Sequence, residues 1–502
     1  MKRIGISLSI RVVPRSSFVP SGREGFFVLK KGGKSLMHQD EAVLKVRPLE
    51  ALIVVLLLFS SIGFTIIKYN GDVPPHAPIM LAIFFLMVYG LIKKVSVKDL
   101  ESGMIEGAKS GLGAIFLFFF IGMLISSWIA SGTIPTFIYL AMEAVNGQYF
   151  FAIVFIVTSV IGMSIGSSLT TAATIGVAFI GVSSALDLST AVTAGAVVSG
   201  AFFGDKMSPL SDTTNLASMV VKVDLFEHIK NMLWTTVPAF IISLIVFAFL
   251  SPKDAAASFD NIALLKSSLL ELNLVHWYSL IPFIILAILA IMRVSAIFTL
   301  SSGVLSGILI SLFIQTDYSF KQVLMLLYSG YKSNSGVEDI DSLLNRGGME
   351  SMLFSISLIL LALAMGGLLF KLGILPALLR GIERFLKRVP TLFVTTALTA
   401  MGVNVLIGEQ YLSVLLPGNA YLEAYRKAGL HPKNLSRVLE DAGAVVNPLV
   451  PWGVCGVFIT GVLGVSTIDY IPFAFFCLLS PILTIIYGVT GFTITKVDKP
   501  IE

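Results

Sequence analysis

The sequence predicts an all-α polytopic membrane protein. Its plan is an inverted repeat of about five transmembrane helices each, with two re-entrant hairpins and two broken helices. Three observations predict this. Apolar runs follow one another along the chain, several of them long enough to cross a bilayer core. Only 13% of the 502 residues are charged, against 56% hydrophobic, where soluble domains carry roughly 25% charged residues. The two halves of the chain also echo each other in order.

In chain order, residues 1–48 hold ten Lys/Arg, and 1–36 lack periodicity. They read as a basic, disordered cytoplasmic tail with no secretory leader. Translation from Met37 is a second reading. The first repeat, 49–250, has apolar segments at 49–67, 77–92, 111–131, 149–163, 172–184, 188–203 and 232–250. A linker, 251–276, precedes the second repeat, 277–491. Its segments run at 277–292, 296–314, 351–370, 391–407, 411–422, 438–462 and 470–491, and 492–502 form a short cytoplasmic tail. The amphipathic pieces 96–109 and 318–332 are expected on the membrane surface. Trp128, Trp234, Trp277 and Trp452 mostly read as interfacial anchors.

The echo is local and ordered. GAKS at Gly107 returns as GYKS at Gly330, and Pro135 in SGTIPTFI matches Pro376 in LGILPALL. GSSLTTAATIG at Gly166 matches GEQYLSVLLPG at Gly408, and AGAVVSG at Ala194 matches AGAVVNP at Ala442. Loop charge then sets direction, because cytoplasmic loops collect Lys and Arg. Lys93, Lys94, Lys98 and Lys109 precede segment 111–131, and 132–148 holds no Lys or Arg. In the second half Lys371, Arg380, Arg384, Lys387 and Arg388 follow segment 351–370 instead. Matching helices therefore point in opposite directions, as in many secondary transporters.

The short segments become hairpins with polar tips at Ser164–Thr171 and Gly408–Gln410. Subtracting them leaves ten spans with both termini cytoplasmic. Counting every segment as a crossing gives the same sidedness.

The helix from Leu188 should unwind over Gly204–Asn215, where Pro209 removes a donor and Ser208, Ser211, Thr213 and Thr214 compete for the backbone. The freed oxygens suit a small hard cation, with Asp205 and Asp212 supplying charge. Asn447, Pro448 and Pro451 break the matching helix, and Glu440 and Asp441 read as acids at its start, in water or in the site. At the tips, Ser167, Ser168 and Thr170 are set against Glu409 and Gln410. Glu409 is the proton-carrier candidate, since burial and a bound cation push a carboxyl in opposite directions. Asp205, Asp212 and Glu409 are the expected carboxylate ligands. Lys206 either pairs with an aspartate or snorkels to the interface, the latter preferred.

Other classes are poorly served. The basic residues lie in short loops, so nucleic acid is not expected. Cys455 and Cys477 make neither a disulfide framework nor a metal site, and no resident cofactor is expected. An intramembrane aspartyl protease is disfavoured because Phe202, Phe203 and Gly204 precede Asp205.

GDKMSPLSDTTNLA at Gly204–Ala217 closely resembles the signature of the NhaC family of sodium/proton antiporters. GEQYLSVLLPG at Gly408 and KNLSRVLEDAGAVVNPLVPW at Lys433–Trp452 also look like that family, and the likeness covers roughly 48–490. The resemblance implies exchange of Na+ for H+ across a bacterial cytoplasmic membrane by alternating access. It implies Asp205, Asp212, Thr213, Thr214 and Asn215 as cation-site residues, with Gly408–Gln410 as their partner. The family tip more often carries Asp where this chain has Glu409. Other relatives exchange malate and lactate alongside sodium and protons, so an organic-acid exchanger is the alternative. The expected partners are Na+, H+ and the lipid bilayer. Oligomeric state is left open, a homo-oligomer included.

Overall fold

A computed structural model describes residues 42–69, 73–144, 149–252, 266–292, 294–314, 318–334, 336, 341, 344–382 and 388–497. The expected tail up to residue 41, the Met37 start, the middle of the linker and residues 498–502 lie outside the described residues. In lipid a backbone must pair its own polar groups. The described residues do so as helices, with one isolated bridge, Leu430 to Lys496.

The chain opens with α1 (Pro48–Lys68) and α2 (His76–Ile92). Amphipathic α3 (Val97–Ser110) leads into α4 (Leu112–Ala130) and α5 (Thr133–Ala144). After α6 (Phe150–Ile165), α7 (Ser168–Thr171) passes through a π turn (Ala172–Gly176) into α8 (Val177–Ala185). A break separates α9 (Thr190–Met207) from α10 (Asp212–Val221), and α11 (Leu225–Leu250) closes the first half. The second half holds α12 (Ile281–Ile291), α13 (Ala296–Ile314), amphipathic α14 (Phe320–Ser329), α15 (Leu353–Lys371) and α16 (Ile374–Ile382). Next come α17 (Val389–Ile407), α18 (Gln410–Lys427) and α19 (Lys433–Leu439), which enters a π turn (Glu440–Ala444). A 3-10 turn (Asn447–Leu449), α20 (Val454–Leu463), α21 (Thr467–Tyr470) and α22 (Phe475–Thr490) complete the chain.

Among the described residues, six helices are long and apolar enough to cross a membrane by length and composition, or up to eight if each of two bent pairs is one span. The bent pairs are Lys433–Leu449 with Val454–Leu463, at 44°, and Thr467–Phe473 with Phe475–Thr490, at 59°. Val389–Ile407, expected as a hairpin arm, is among the six, and α9, expected as a span, is not. α9 is rich in Gly, Ala, Ser and Thr and carries Asp205 and Lys206. The described helices wrap α9 so completely that Ala194 to Phe202 are buried without exception, so its surface need not match lipid. Outer faces instead present Leu56, Leu81, Ile245 and Phe313.

Packing runs through small residues. α9 lies along α6, where a Cβ on Gly204 would strike the Met163 backbone nitrogen. α3 lies against α15 rather than free on a surface, with Leu100 and Gly103 buried. Two tryptophans correct the interfacial expectation. Trp128 is fully buried and donates to Gly303 O at 3.1 Å. Trp452 is partly buried and donates to Val405 O at 2.7 Å. Each has an internal carbonyl to satisfy its indole N–H, and Trp234 and Trp277 are exposed.

The end of the chain returns to α19. His431 N donates to Thr495 O at 3.0 Å and Val497 N to Gly429 O at 2.9 Å. Asn434 Nδ2 donates to Thr495 O at 2.7 Å, and Thr495 N donates to Asn434 Oδ1 at 3.1 Å. The start of the helix that carries Glu440 and Asp441 is thereby clasped.

Candidate cation site

The two tips predicted from sequence are built alike. α6 ends at Gly166 and α17 at Gly408, with φ of 71° and 77°, the left-handed conformation that stops a helix. The next helix then starts on a side-chain cap. Ser167 Oγ accepts from Thr170 N at 3.3 Å, and Glu409 Oε2 accepts from Leu412 N at 2.7 Å. Ser167 Oγ also lies 3.0 Å from Thr170 Oγ1. Glu409 is partly exposed, and its carboxylate is committed to this cap.

The first break is shorter than expected. The helix holds through Gly204, Asp205 and Lys206 to Met207, and only Ser208–Ser211 lie outside helix before α10 resumes. Pro209 sits in that gap and explains it. Ser211 Oγ caps α10 by accepting from Thr214 N at 3.4 Å. Ser208 is buried and its Oγ accepts from Leu210 N at 3.2 Å. Thr214 Oγ1 donates to Lys206 O at 3.1 Å. Asn215 Nδ2 donates to Pro209 O at 3.0 Å and to Ser211 O at 2.6 Å. Thr214 and Asn215 therefore brace the gap from within helix α10.

Asp205 is 7% exposed, and Ser168 Oγ of the first tip donates to its Oδ2 at 2.7 Å. The Ser211 hydroxyl reaches it as well. One carboxylate is thus framed by hydroxyls from a hairpin tip and from a helix break. Asp212 differs from expectation: it is exposed, at the first position of α10, where a carboxylate favours the helix N-terminus. It still lies within electrostatic reach of Asp205.

The second tip is bound to the second break. Gln410 Nε2 donates to Ala444 O at 2.9 Å, and Asn404 Nδ2 donates to Gly443 O at 2.6 Å. Asn447 Nδ2 donates to Asn404 Oδ1 at 2.8 Å and to Gly408 O at 3.3 Å. Its Oδ1 accepts from Cys455 N at 2.8 Å. The Cys455 thiol, 3.5 Å from Gln410 Oε1, lies within electrostatic reach of both Asp205 and Glu409. Cys455 and Cys477 are free and buried.

Between the halves stand Lys206, Glu440 and Asp441, whose surroundings the sequence left open. Lys206 does not snorkel. It is 1% exposed and forms an ion pair with Asp441, whose side chain is fully buried. Glu440 and Asp441 are not helix-start acids in water. α19 starts at Lys433, and both lie in the buried π turn at its end. Glu440 Oε1 accepts from Thr213 Oγ1 at 3.0 Å. The nearest sequence signal was the register. A helix begun at Lys433 carries Glu440 two turns inward. Among the described residues, no three of His, Cys, Asp and Glu converge to hold a metal ion, so Asp205, Asp212 and Glu409 do not form one carboxylate cluster. The site is instead carboxylate with hydroxyl, which suits a weakly held hard cation.

Comparison with known proteins shows the family. A Na+/H+ antiporter family model matches residues 41–209 and 200–492. The Na(+)/H(+) antiporter NhaC of Alkalihalophilus pseudofirmus is 42% identical over 424 residues, 84% of this chain and 92% of that protein. NhaC of Bacillus subtilis is 41% identical over 421 residues, 83% of this chain and 92% of that protein. A malate-2H(+)/Na(+)-lactate antiporter of Bacillus subtilis is 33% identical over 444 residues, 88% of this chain and 94% of that protein.

Proposed function

The chain belongs to the Na+/H+ antiporter family, and from that premise we propose that it exchanges Na+ for H+ at the Asp205 carboxylate. It is a multi-pass membrane protein, placed by this reading in the bacterial cytoplasmic membrane with both termini inside. Two relatives are named as Na+/H+ antiporters, which supports the ions chosen.

The observation that carries the reading is Asp205 itself, buried and hydrogen-bonded by Ser168 at the edge of a broken helix. A buried charge without a partner is costly. It is therefore kept neutralised, by Na+ or by a proton. Na+ would take the carboxylate and the Ser168 and Ser211 hydroxyls as hard oxygen ligands. A proton on the carboxylate removes the charge that holds Na+, so the two ions exclude each other. The two halves then rock about the site as an inverted repeat to expose it alternately. Each elementary charge moved gains about 2.3 kcal/mol per 100 mV, so unequal exchange would be driven by the membrane potential.

The test is dissipation of a pH gradient in everted vesicles when Na+ is added. Asp205→Asn, which cannot carry the charge, should lose the response while remaining inserted. A variant that responds like the wild-type protein overturns the assignment. Labelled malate and lactate uptake into proteoliposomes checks the organic-acid reading. Robust uptake without Na+-dependent proton movement would replace the present one.

A further inference from the structure

Five ionisable side chains gather behind the first break: Asp205, Lys206, Arg437, Glu440 and Asp441, all buried. Lys206 pairs with Asp441. Arg437 lies within electrostatic reach of the same Asp441 and donates to Thr493 Oγ1 at 3.0 Å. Buried His228, within electrostatic reach of Lys206, adds no negative charge, and a cation there would face the Lys206 ammonium. Two cations thus stand against three carboxylates. One negative charge is left without a protein counter-ion.

Glu440 offers that charge an unused ligand. Its Oε1 accepts from Thr213 Oγ1, while its Oε2 is buried with no hydrogen-bond partner among the described residues. Thr213 Oγ1 in turn lies 3.0 Å from Ser211 Oγ, and Ser211 reaches Asp205. Asp205, Ser211, Thr213 and Glu440 make one line, carboxylate to hydroxyl to hydroxyl to carboxylate. It runs from the break in the first half to the π turn in the second, and Glu440 opens that π turn. Such turns widen a helix and are frequent at functional sites.

We propose that Glu440 and the Thr213 hydroxyl form a second position for the transported monovalent cation, contributed by the other half of the chain. The cation held at Asp205 moves along the hydroxyls to Glu440, and the single uncompensated charge is shared between the two carboxylates. The proposal rests on the cation-exchange reading above, and it adds a residue that the carboxylate set predicted from sequence omits.

The experiment uses the full chain in proteoliposomes, with Na+-driven proton movement measured over a Na+ series. Glu440→Gln and Thr213→Val should each raise the KM for Na+ about tenfold or more, equivalent to about 1.4 kcal/mol of lost binding. Thr213→Ser, which keeps the hydroxyl, should restore it. A merely structural role would change the amount of folded protein or the maximal rate and leave the KM alone. Wild-type KM values in Glu440→Gln and Thr213→Val would overturn the proposal. If Glu440→Gln fails to fold, the Thr213 pair carries the same decision. Equilibrium binding of radioactive Na+ to the purified protein separates this proposal from its premise. A wild-type protein that binds Na+ but moves no protons sinks the exchange reading alone. Equal Na+ binding by wild type and Glu440→Gln sinks the second position alone.

Discussion

Lys206 and Asp441 share a fully buried ion pair through Asp441 Oδ1, and Asp441 Oδ2 has no hydrogen-bond partner among the described residues. Breaking a buried pair by removing one partner typically costs about 3–5 kcal/mol, an upper bound for Lys206 because Arg437 still lies within electrostatic reach of Asp441. Lys206→Met alone should therefore lower thermal stability more than Lys206→Met combined with Asp441→Leu, as read by size-exclusion chromatography after heating. Equal losses would mean the pair is not energetically coupled. Ser168→Ala removes one hydrogen bond to a carboxylate, worth about 1.5–3 kcal/mol, and should weaken Na+ binding by about tenfold or more. Residue types in GDKMSPLSDTTN pointed to hard cation chemistry, and the structure buries Asp205 as that reading requires but on the last turn of a helix rather than in unwound chain. Which partner each charge takes was not legible. Lys206 meets a residue 235 positions away, and nothing local distinguishes a lysine that pairs from one that snorkels. Asp212 and Asp205 look equivalent in sequence. Only the helix restarting at Asp212 turns one outward.

Elements were legible where a breaker marked them. Pro209, Asn447, Gly166 and Gly408 fall at interruptions or helix ends in the structure. The extent of unwinding was not, because hydroxyl-rich sequence tolerates helix once its side chains bond back to the backbone, as Thr214 and Asn215 do. The close crossing of α6 and α9 supplies the element-scale prediction. Gly204→Ala places a methyl against the Met163 backbone and should destabilise by about 1–3 kcal/mol. The readout is a lower melting midpoint. An unchanged midpoint would show that α6 can yield, and that the Ser168–Asp205 contact is not held by this crossing.

At the scale of the whole molecule, exchange makes Na+ and protons rivals for the same carboxylates. As pH falls, protons occupy them, so the KM for Na+ should rise while the maximal rate at saturating Na+ changes less. A KM independent of pH in proteoliposomes would argue for separate, non-competing sites. The membrane character and the helical class were legible, because hydropathy survives in one sequence. The number of crossings was not legible from hydropathy, since α9 is shielded from lipid by its neighbours and carries an Asp–Lys pair.

The clasp between residues 493–497 and the start of α19 bears on biosynthesis. A chain still leaving the ribosome has already made Glu440 and Asp441, yet the segment that fastens their helix is translated more than fifty residues later. The clasp on that helix therefore cannot close until residues 493–497 have been made. A stop codon after Gly491 should yield an inserted but inactive and short-lived product, and pulse-chase labelling would register that difference.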